Sequence, residues 1–328
     1  MRLTDEQLDW LCARLPEPPA RPKGGRPPMD RRRVIAAIFW ILDNGAKWKD
    51  LPRHFGSRSA VHAYFQQWTR QGVFERILRD AGALVDERDG YKLYECFVDA
   101  TFSKARGGGD GIGPTKAGKG VKIMVLVDAR GLPVAVDTCS ASPHESTLVQ
   151  GLFEFMLTRD LPEKIIGDKA YDSDALDEQL GEVGIELIAP HRGNRRQENV
   201  TQDGRSLRRY KRRWTVERTI SWIQNFRRLC IRHEKSGVLF KGFLHLACSI
   251  ILLKQVYNFG DLIFVSFSLF THDAQLAVIE KLSEPQQGFC IYLFPSAQQY
   301  SNMGKFFKYI FRKPGIKQVG YRHLIDVL

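Results

Sequence analysis

The chain has 328 residues, of which 43% are hydrophobic and 26% are charged, proportions typical of a soluble globular protein with one large domain or two ordinary ones. The six cysteines include no CxxC pair, the N-terminus lacks an apolar signal segment, and the longest apolar run, Leu262 to Phe270, is too short to span a bilayer. We therefore expect no disulfide framework, no zinc site and no membrane association, and a cytoplasmic protein whose net charge of +12 favours a polyanionic partner such as nucleic acid.

The first 45 residues predict two helices separated by a linker. Thr4 can cap a helix that runs to Leu15, with Gln7 as its capping-box partner. A segment rich in proline and glycine follows, PEPPARPKGGRPPMD, which is incompatible with regular structure. Asp30 then caps the apolar helix RRRVIAAIFWILDNG, which we expect to end at Gly45.

A third helix is predicted from Ser57 or Ser59 to Gly72. Three helices with a tight turn before the last one form a helix-turn-helix candidate, in which this last helix lies in the major groove of DNA. Its polar side chains nearest to bases or phosphates would be Arg58, Ser59, His62 and Gln66. An ordinary helical hairpin is the alternative interpretation.

The pattern changes to strands at Tyr91 and predicts an α/β order with a mixed sheet. The strand LYECFVDATF is followed by a hairpin, KIMVLVDARGLPVAVDTCS, and later by the strands KIIGDKAYD and IELIAP. Helices are predicted at about residues 145–158, 174–183 and 210–230, with a buried closing helix at 240–257. The remaining residues show no pattern that predicts an element.

Residues 191–235 form a basic segment that contains fourteen Lys or Arg against four Asp or Glu. A charge excess this concentrated indicates a phosphate-binding surface, because neutralised phosphates release their counterions. A solvated loop is the alternative for its first part, residues 192–209.

Three acids stand out by their context. Asp99 interrupts the apolar strand CFVDATF, where a lone carboxylate is costly unless it is paired or binds a metal. Asp168 follows the strand KII at its carboxyl end, where open α/β sheets place their ligands, and Glu217 lies on the basic and aromatic helix RRWTVERTISW. Carboxylate oxygens suit Mg²⁺ or Mn²⁺, and two such ions can drive displacement at a phosphodiester.

Each of these acids also has an ordinary structural explanation. Asp99 could accept hydrogen bonds from backbone N–H groups at a strand end, and Asp168 could cap the turn KAYDS. Glu217 could pair with Arg213, four residues earlier on the same helix. Taken singly, none of the three positions decides between these explanations and catalysis.

Three sequence blocks occur in a fixed order: FVDATF, GDKAYDSDAL and YKRRWTVERTISWIQNFRRL. In order and spacing these blocks resemble the DDE-class transposases of insertion sequences, most closely the insertion-sequence-five family. The upstream text GAKWKDLPRHFGSRSAVHAYFQQWTRQGVF resembles the DNA-binding segment of the same family. The resemblance covers about residues 1–257, and nothing after residue 258 resembles the family.

The resemblance implies an RNase H-like mixed-sheet catalytic domain preceded by a small all-helical helix-turn-helix domain. We expect the helical domain in residues 1–85, the catalytic domain in 90–257, and an atypical tail of unknown role in 258–328. The resemblance also implies two Mg²⁺ ions, for which Mn²⁺ can substitute, with Asp99, Asp168 and Glu217 as their ligands and as the catalytic residues.

The family's helix signature places a tyrosine, an arginine, the glutamate and a basic residue at fixed spacing. Here these positions hold Tyr210, Arg213 and Glu217, but the last holds Gln224. The resemblance implies that Tyr210 and Arg213 contact DNA near the cut. Further DNA contacts are expected from neighbouring basic residues, namely Arg212, Arg218, Arg227 and Arg228.

Together these features predict a transposase that binds the terminal inverted repeats of its element, cleaves the ends and joins the 3′-hydroxyl to target DNA. Its partners would be both DNAs and further copies of itself in the active complex, and it would associate with the nucleoid. The alternatives are a catalytically inactive DNA-binding regulator or transposition inhibitor, and a plain α/β domain with a solvated basic loop.

Overall fold

The computed structural model describes residues 3–18, 27–193, 206–270, 278–279 and 291–292. The chain divides into two compact units, Met1–Asn258 and Phe259–Leu328. Of the predicted tail, residues 258–270 belong to a helix that begins at Gly237, and two short antiparallel strands follow, β8 (Val278–Ile279) and β9 (Ile291–Tyr292). The other residues of the tail lie outside the described residues, as does most of the predicted linker.

Four helices form the N-terminal part of the first unit: α1 (Asp5–Ala13), α2 (Arg31–Asn44), α3 (Arg58–Arg70) and α4 (Val73–Asp89). The predicted caps are confirmed for the first two helices. Thr4 and Gln7 exchange the two hydrogen bonds of a capping box, and Asp30 accepts from the first backbone N–H groups of α2. Gly45 ends α2 with φ +64°, a left-handed conformation that favours glycine.

The connections on either side of α3 differ from the sequence prediction. Residues 45–57 join α2 to α3 through two 3-10 turns, Trp48–Asp50 and Arg53–Phe55, in place of one tight turn. The tight turn follows α3, at Gly72, and leads directly into α4, which the sequence analysis did not predict. The helical signal is nevertheless present, because α4 buries Val73, Phe74, Ile77, Leu78, Ala81 and Val85 at helical spacing.

The sheet of the first unit has seven strands: β1 (Cys96–Ala105), β2 (Gly113–Thr115), β3 (Gly118–Val127), β4 (Pro133–Ser140), β5 (Lys164–Ile166), β6 (Glu186–Ile188) and β7 (Ile231–Arg232). Its main order is β4-β3-β1-β5-β6, with β3 antiparallel to its neighbours and β5 and β6 parallel to β1. The short strands β2 and β7 pair with β3 and with the end of β1. This is the mixed, RNase H-like sheet that was expected.

Helices cover both faces of this sheet. Side chains such as Phe97 and Val125 point into a core shared with α1 to α4 and with α7 (Trp214–Gln224) and α9 (Gly237–Phe270). Their neighbours in the strands, such as Val98 and Leu126, point into a second core with α5 (Val149–Phe153) and α6 (Asp174–Glu182). The alternation along β1 therefore decides which helix layer each of its side chains meets.

The segment predicted as one helix at residues 210–230 is interrupted. It begins as a 3-10 helix, Ser206–Arg213, continues as α7, and ends as α8 (Arg227–Cys230). Phe226, between α7 and α8, has an extended backbone and a fully buried ring that meets the ring of Phe39 edge-on. Burial of this ring favours the break over a continuous helix.

Helix α9 contains the predicted closing helix. Among the described residues, its segment Gly237–Tyr257 is the one helix that is long and apolar enough, by length and composition alone, to cross a membrane. Most of its side chains, from Leu239 to Leu253, lie inside the first core. Its apolarity is thus accounted for by burial within the protein.

A buried ion pair joins the helical and sheet-bearing parts of the first unit. The guanidinium of Arg228 donates to Glu234 Oε1 at 2.6 and 2.8 Å and to the carbonyl oxygen of Ala46 at 2.7 Å, and both charged side chains are 4% exposed. Beside it, Gly45 lies so close to α8 that an added Cβ would be 2.9 Å from Cβ of Arg227. The end of α2 is therefore fixed directly to α8.

We expect Glu234→Gln to lower the free energy of unfolding by about 3 kcal/mol, because removal of one partner leaves a buried charge without compensation. The double variant Arg228→Met/Glu234→Leu, which replaces both charges by apolar groups, should recover most of that loss. Urea denaturation of the three proteins tests this. Equal losses of stability in the single and double variants would contradict this explanation, because they would show that the uncompensated charge of Arg228 is not the cause of the loss.

Candidate functional site

Three polar side chains at and along β1 face the helix layer that contains α7. These side chains, of Glu95, Asp99 and Thr101, lie on the same face of β1 as Phe97, and the residues between them face the other helix layer. Each is bonded to the segment that runs from the 3-10 helix into α7. Glu95 accepts from Arg212, Asp99 from Arg213, and Thr101 from Gln224, at 2.5, 2.7 and 2.7 Å.

The register of two strands places Asp99 and Asp168 at the same level of the sheet. In the parallel pair β1–β5, Phe97 lies opposite Ile166, and each of these residues precedes its acid by two positions. Asp168 begins the turn after β5. Burial is the main cause that raises the pKa of Asp99, and the negative charge of Asp168 adds to it. The charge of Asp168 therefore acts on Asp99.

Glu217 lies in the first turn of α7 and is connected to Asp99 through Arg213. The Arg213 guanidinium donates from Nη2 to Asp99 Oδ2 at 2.7 Å, and its Nη1 lies 3.3 Å from Glu217 Oε1. Asp99 is nearly buried, whereas the Glu217 side chain is 55% exposed. Among the described residues, no three or more His, Cys, Asp or Glu side chains are close enough together to hold a metal. One cation, Arg213, stands between two of the three acids.

The ordinary explanations considered from sequence are all realised. Asp99 Oδ1 accepts from the backbone N–H of Ala100 at 2.9 Å, and Asp168 Oδ1 from that of Ala170 at 2.8 Å. Glu217 pairs with Arg213 across one helical turn. These bonds hold one oxygen of each aspartate and do not use the whole carboxylate, so they are compatible with a further role.

Burial raises the pKa of Asp99 above its usual value of 3.8. The hydrogen bond and positive charge of Arg213 and the N–H of Ala100 act in the opposite direction but do not compensate fully. Burial also lowers the pKa of the Arg213 guanidinium, but its bond to Asp99 outweighs this and leaves the pKa raised. Arg213 therefore stays charged beside a carboxylate that is costly to ionise.

Two buried polar atoms beside the acids lack a hydrogen-bond partner among the described residues: Tyr171 Oη and Arg213 Nε. The Tyr171 ring packs on Gly167, where an added Cβ would lie 2.7 Å from the ring. Sequence reasoning missed Tyr171. The one available signal was its place in the same short turn as Asp168.

The three acids offer carboxylate oxygens only, which are the ligands that Mg²⁺ and Mn²⁺ prefer. Asp99 and Glu217 already direct oxygens toward one positive group, the guanidinium of Arg213. The unpartnered Tyr171 hydroxyl leaves a further polar atom available at the same place. The residues thus fit a divalent cation, on condition that Arg213 withdraws from between them.

The basic residues predicted around this site differ in their surroundings. Arg209 and Arg212 pair with the buried Glu95 at 2.9 and 2.5 Å. Arg218 donates to the carbonyl oxygen of Arg130 and stacks over the rings of Trp214 and Trp222. Tyr210 is half-buried and Arg227 is exposed. Residues 194–205 of the basic segment lie outside the described part of the chain.

Arg228 requires a correction, since it was expected on the DNA surface. Its side chain is buried and bonded to Glu234 and to the carbonyl oxygen of Ala46. The sequence placed it in a basic run but could not show that Glu234, six residues later, folds back onto it. We do not retain Arg228 among the DNA-contacting residues.

The four residues predicted to reach DNA from α3 lie on one side of that helix but differ in exposure. Arg58 and Ser59 are exposed near its start, and Arg58 donates to the carbonyl oxygen of Lys49 at 3.2 Å. His62 is stacked on Trp48, with ring centroids 4.6 Å apart, and its Nε2 lies 3.3 Å from the Gln66 amide. Burial lowers the pKa of His62. Arg58 and Ser59 are therefore the more accessible pair.

Comparison with known proteins gives a consistent result. Residues 3–78 match the family described as "Putative transposase of IS4/5 family", and residues 91–252 match the transposase DDE domain. The chain is 34% identical over 152 residues to the "Putative transposase for insertion sequence element IS402" of Burkholderia cepacia, covering 43% of this chain and 67% of that protein. It is 31% identical to the corresponding IS6501 protein of Brucella ovis, covering 40% of this chain and 98% of that protein.

A solved structure with partial likeness is the piggyBac transposase synaptic complex with hairpin DNA. Its sequence is 14% identical, the alignment covers 78% of this chain and 74% of that one, and the TM-score is 0.46. The catalytic domain of Mos1 mariner transposase aligns with a TM-score of 0.23, 13% identity, and coverage of 54% and 94%.

We expect Asp99→Asn to increase the free energy of unfolding at neutral pH. The folded wild type holds its proton more tightly than the unfolded chain, so its stability falls as pH rises from 3.8 through the raised pKa, and the amide avoids that loss. The advantage of the variant should be small at pH 4 and larger at pH 7, measured by urea denaturation at both.

Asp128→Asn serves as the contrasting variant. Asp128 is fully buried, but its oxygens accept from three backbone N–H groups, those of Lys92, Arg130 and Leu132. The asparagine of this variant turns its NH2 group toward one of these N–H donors, so the free energy of unfolding should fall by about 1–3 kcal/mol. A loss of stability at pH 7 in Asp99→Asn as well would contradict our account of Asp99.

Proposed function

Because the chain belongs to the family of DDE transposases of insertion sequences, we propose that it hydrolyses phosphodiester bonds at the ends of its own element and transfers the freed 3′-hydroxyls to target DNA. The observation that carries this proposal is the placement of Asp99 and Asp168 two residues beyond the paired Phe97 and Ile166, with Glu217 connected to Asp99 through Arg213. The three acids come from a strand, the turn after a parallel neighbouring strand, and a helix.

We propose that residues 1–85 bind the terminal inverted repeats and residues 90–257 carry the chemistry. Arg58 and Ser59 support the first assignment, since they are exposed at the start of α3. The proposal includes at least two copies of the chain in the active complex, because two ends of one element must be held together for joining. The role of residues 258–328 stays open.

Asp99, Asp168 and Glu217 would hold two Mg²⁺ ions, or Mn²⁺ in their place. Such ions activate a water or a 3′-hydroxyl and stabilise the leaving oxygen of an in-line displacement. The chain's own contribution is to orient the carboxylates. The backbone N–H groups of Ala100 and Ala170 each fix one aspartate oxygen, and the second oxygen of Asp99 becomes available once Arg213 withdraws from it.

Arg213 would take the part of a phosphate-binding residue once it leaves the acids. Its guanidinium is planar and offers paired N–H groups, which suit phosphate oxygens as well as carboxylates. Withdrawal toward a DNA phosphate would free Asp99 and Glu217 at the same moment. Tyr210, Arg212, Arg218 and Arg227 lie on the same segment and are proposed to contact the same DNA.

A catalytically inactive DNA-binding regulator is the second candidate, and one observation favours it. The family signature has a basic residue where this chain has Gln224, and the Gln224 amide is bonded to Thr101 at 2.7 Å. That position therefore supplies no positive charge for a phosphate. Loss of one cation weakens a phosphate site without removing the acids, so we rank this candidate second.

The decisive variant is Glu217→Gln, tested for Mg²⁺-dependent nicking of a labelled duplex that carries the ends flanking its own gene. We expect nicking by the wild type and a fall of at least roughly a thousandfold in the variant, the scale on which loss of an essential catalytic group acts. Glu217 is half-exposed, so the fold should be unaffected. DNA binding, measured without metal, should persist.

The matched control is Glu163→Gln, the same change at an exposed glutamate next to the amino end of β5, away from Asp168. It should nick like the wild type. If the wild type binds the ends but does not nick them, the proposal of an inactive DNA-binding regulator would replace that of an enzyme. Nicking that survives in Glu217→Gln would remove Glu217 from the site.

A further inference from the structure

Most arginines that follow residue 206 and were expected to meet DNA are engaged by the protein itself. Arg209 and Arg212 pair with Glu95, and Arg213 pairs with Asp99 and Glu217. Farther along, Arg228 and Arg232 pair with Glu234 and Asp110. A paired guanidinium must give up a carboxylate before it binds a phosphate, so this segment is a weaker first contact for DNA than its charge suggests.

A second group of cations is free of such partners. We define the β1 cation cluster as six exposed side chains around the end of β1: Lys47, Lys104, Arg106, Lys116, Lys119 and Lys235. Within the part of the chain that the structure describes, none of the six forms an ion pair or donates a side-chain hydrogen bond. Their charge is therefore available to a partner.

Backbone pairing assembles the cluster from distant parts of the chain. Lys104 on β1 lies opposite Gly120 on β3, and its Cε would be 3.9 Å from a Cβ added at Gly118, between Lys116 and Lys119. The backbone N–H of Arg106 donates to the carbonyl oxygen of Arg232, and that of Asp110 to the carbonyl oxygen of Lys235, both at 3.0 Å.

Lys47 reaches the same region from the helical part. The pKa of His233 is lowered by burial first and then by positive charges that include Arg106 and Lys47, so both cations act on one ring. Two acids of the same region are already paired with other residues, Glu234 with Arg228 and Asp110 with Arg232. Neither forms an ion pair with the cluster among the described residues.

The loop beside the cluster also lets a ligand approach the backbone. Cβ atoms added at Gly107 and Gly108 would meet nothing within 4 Å, and both residues are exposed. Glycines in an open loop allow a phosphate to approach backbone N–H groups without a side chain between. Free cations and bare backbone occur together at this one place.

We infer that the β1 cation cluster is a binding surface for the phosphates of duplex DNA, and that it makes the first contact before the arginines at the acids are released. This inference rests on the proposed function for the identity of the polyanion. Lys104 follows Asp99 by five residues on β1, about 16 Å along the strand, and because this number is odd the two side chains leave opposite faces of the sheet. The cluster is therefore a contact separate from the acids, and a duplex carries about nine phosphate charges over that length.

The test compares three variants that each lose two positive charges. Lys104→Gln/Arg106→Gln removes the centre of the cluster, and Arg209→Gln/Arg212→Gln removes the pair held by Glu95. Arg159→Gln/Lys164→Gln is the control, near the amino end of β5. DNA affinity is measured by fluorescence anisotropy on a duplex from the element's end, without divalent metal, from about 0.05 to 0.3 M salt.

For Lys104→Gln/Arg106→Gln we expect the slope of log affinity against log salt to fall by about two and the affinity to drop roughly 10- to 100-fold at about 0.1 M salt. The other two variants should change the slope by less than about one. Thermal unfolding should be unchanged in the cluster variant, because both side chains are exposed and unpaired.

A slope that stays at the wild-type value in Lys104→Gln/Arg106→Gln, or that falls as far in the β5 control, would overturn the inference. So would a larger effect of Arg209→Gln/Arg212→Gln. These outcomes are separable from failure of the proposed function, which is decided by nicking. The expected slopes without nicking would support the binding surface and overturn the proposed enzyme. Nicking without the expected slopes would support the enzyme and overturn the binding surface.

Discussion

The parallel pairing of β1 with β5 is the constraint on which the candidate site depends. It places Asp99 and Asp168 each two residues beyond a paired residue, Phe97 and Ile166, so the sheet sets where both side chains begin. β1 also pairs with β3 and β7. On the face toward α7, its side chains and the preceding Glu95 accept hydrogen bonds from the segment that carries Glu217. One strand thereby positions both acids of the sheet, the helix that bears the third and the cations around them.

Charge compensation stabilises this arrangement of carboxylates. Carboxylates that converge in a partly buried place repel one another, and burial makes their ionised forms costly. Arg213 offsets that cost by standing between Asp99 and Glu217. The same guanidinium must move for the acids to accept another cation. The contacts of Arg213 that stabilise the fold therefore compete with the proposed binding of a metal ion. Such opposition is typical of functional sites.

Sequence patterns predicted what local rules govern. Asp30 and Gly45 bound α2 because a side-chain cap and a left-handed glycine act within one turn, and the alternation of CFVDATF shows the two faces of β1. The pairing state of the arginines was not predictable in this way. Arg212 and Arg213 meet Glu95 and Asp99 across 117 and 114 residues, so a basic run in the sequence says nothing about how many of its charges are free. The break at Phe226 depends likewise on a distant core.

If α3 binds DNA as proposed, the contact of α2 with α8 fixes where the bound DNA sequence lies relative to the acids. Gly45 abuts Arg227, and Ala46 accepts a bond from Arg228, so the helices ahead of the sheet cannot swing independently of it. A sequence gripped by α3 and a bond cut beside Asp99 would then be separated by a length set in the protein's own framework. The number of base pairs between the recognised sequence and the cleaved bond would then be fixed by the fold.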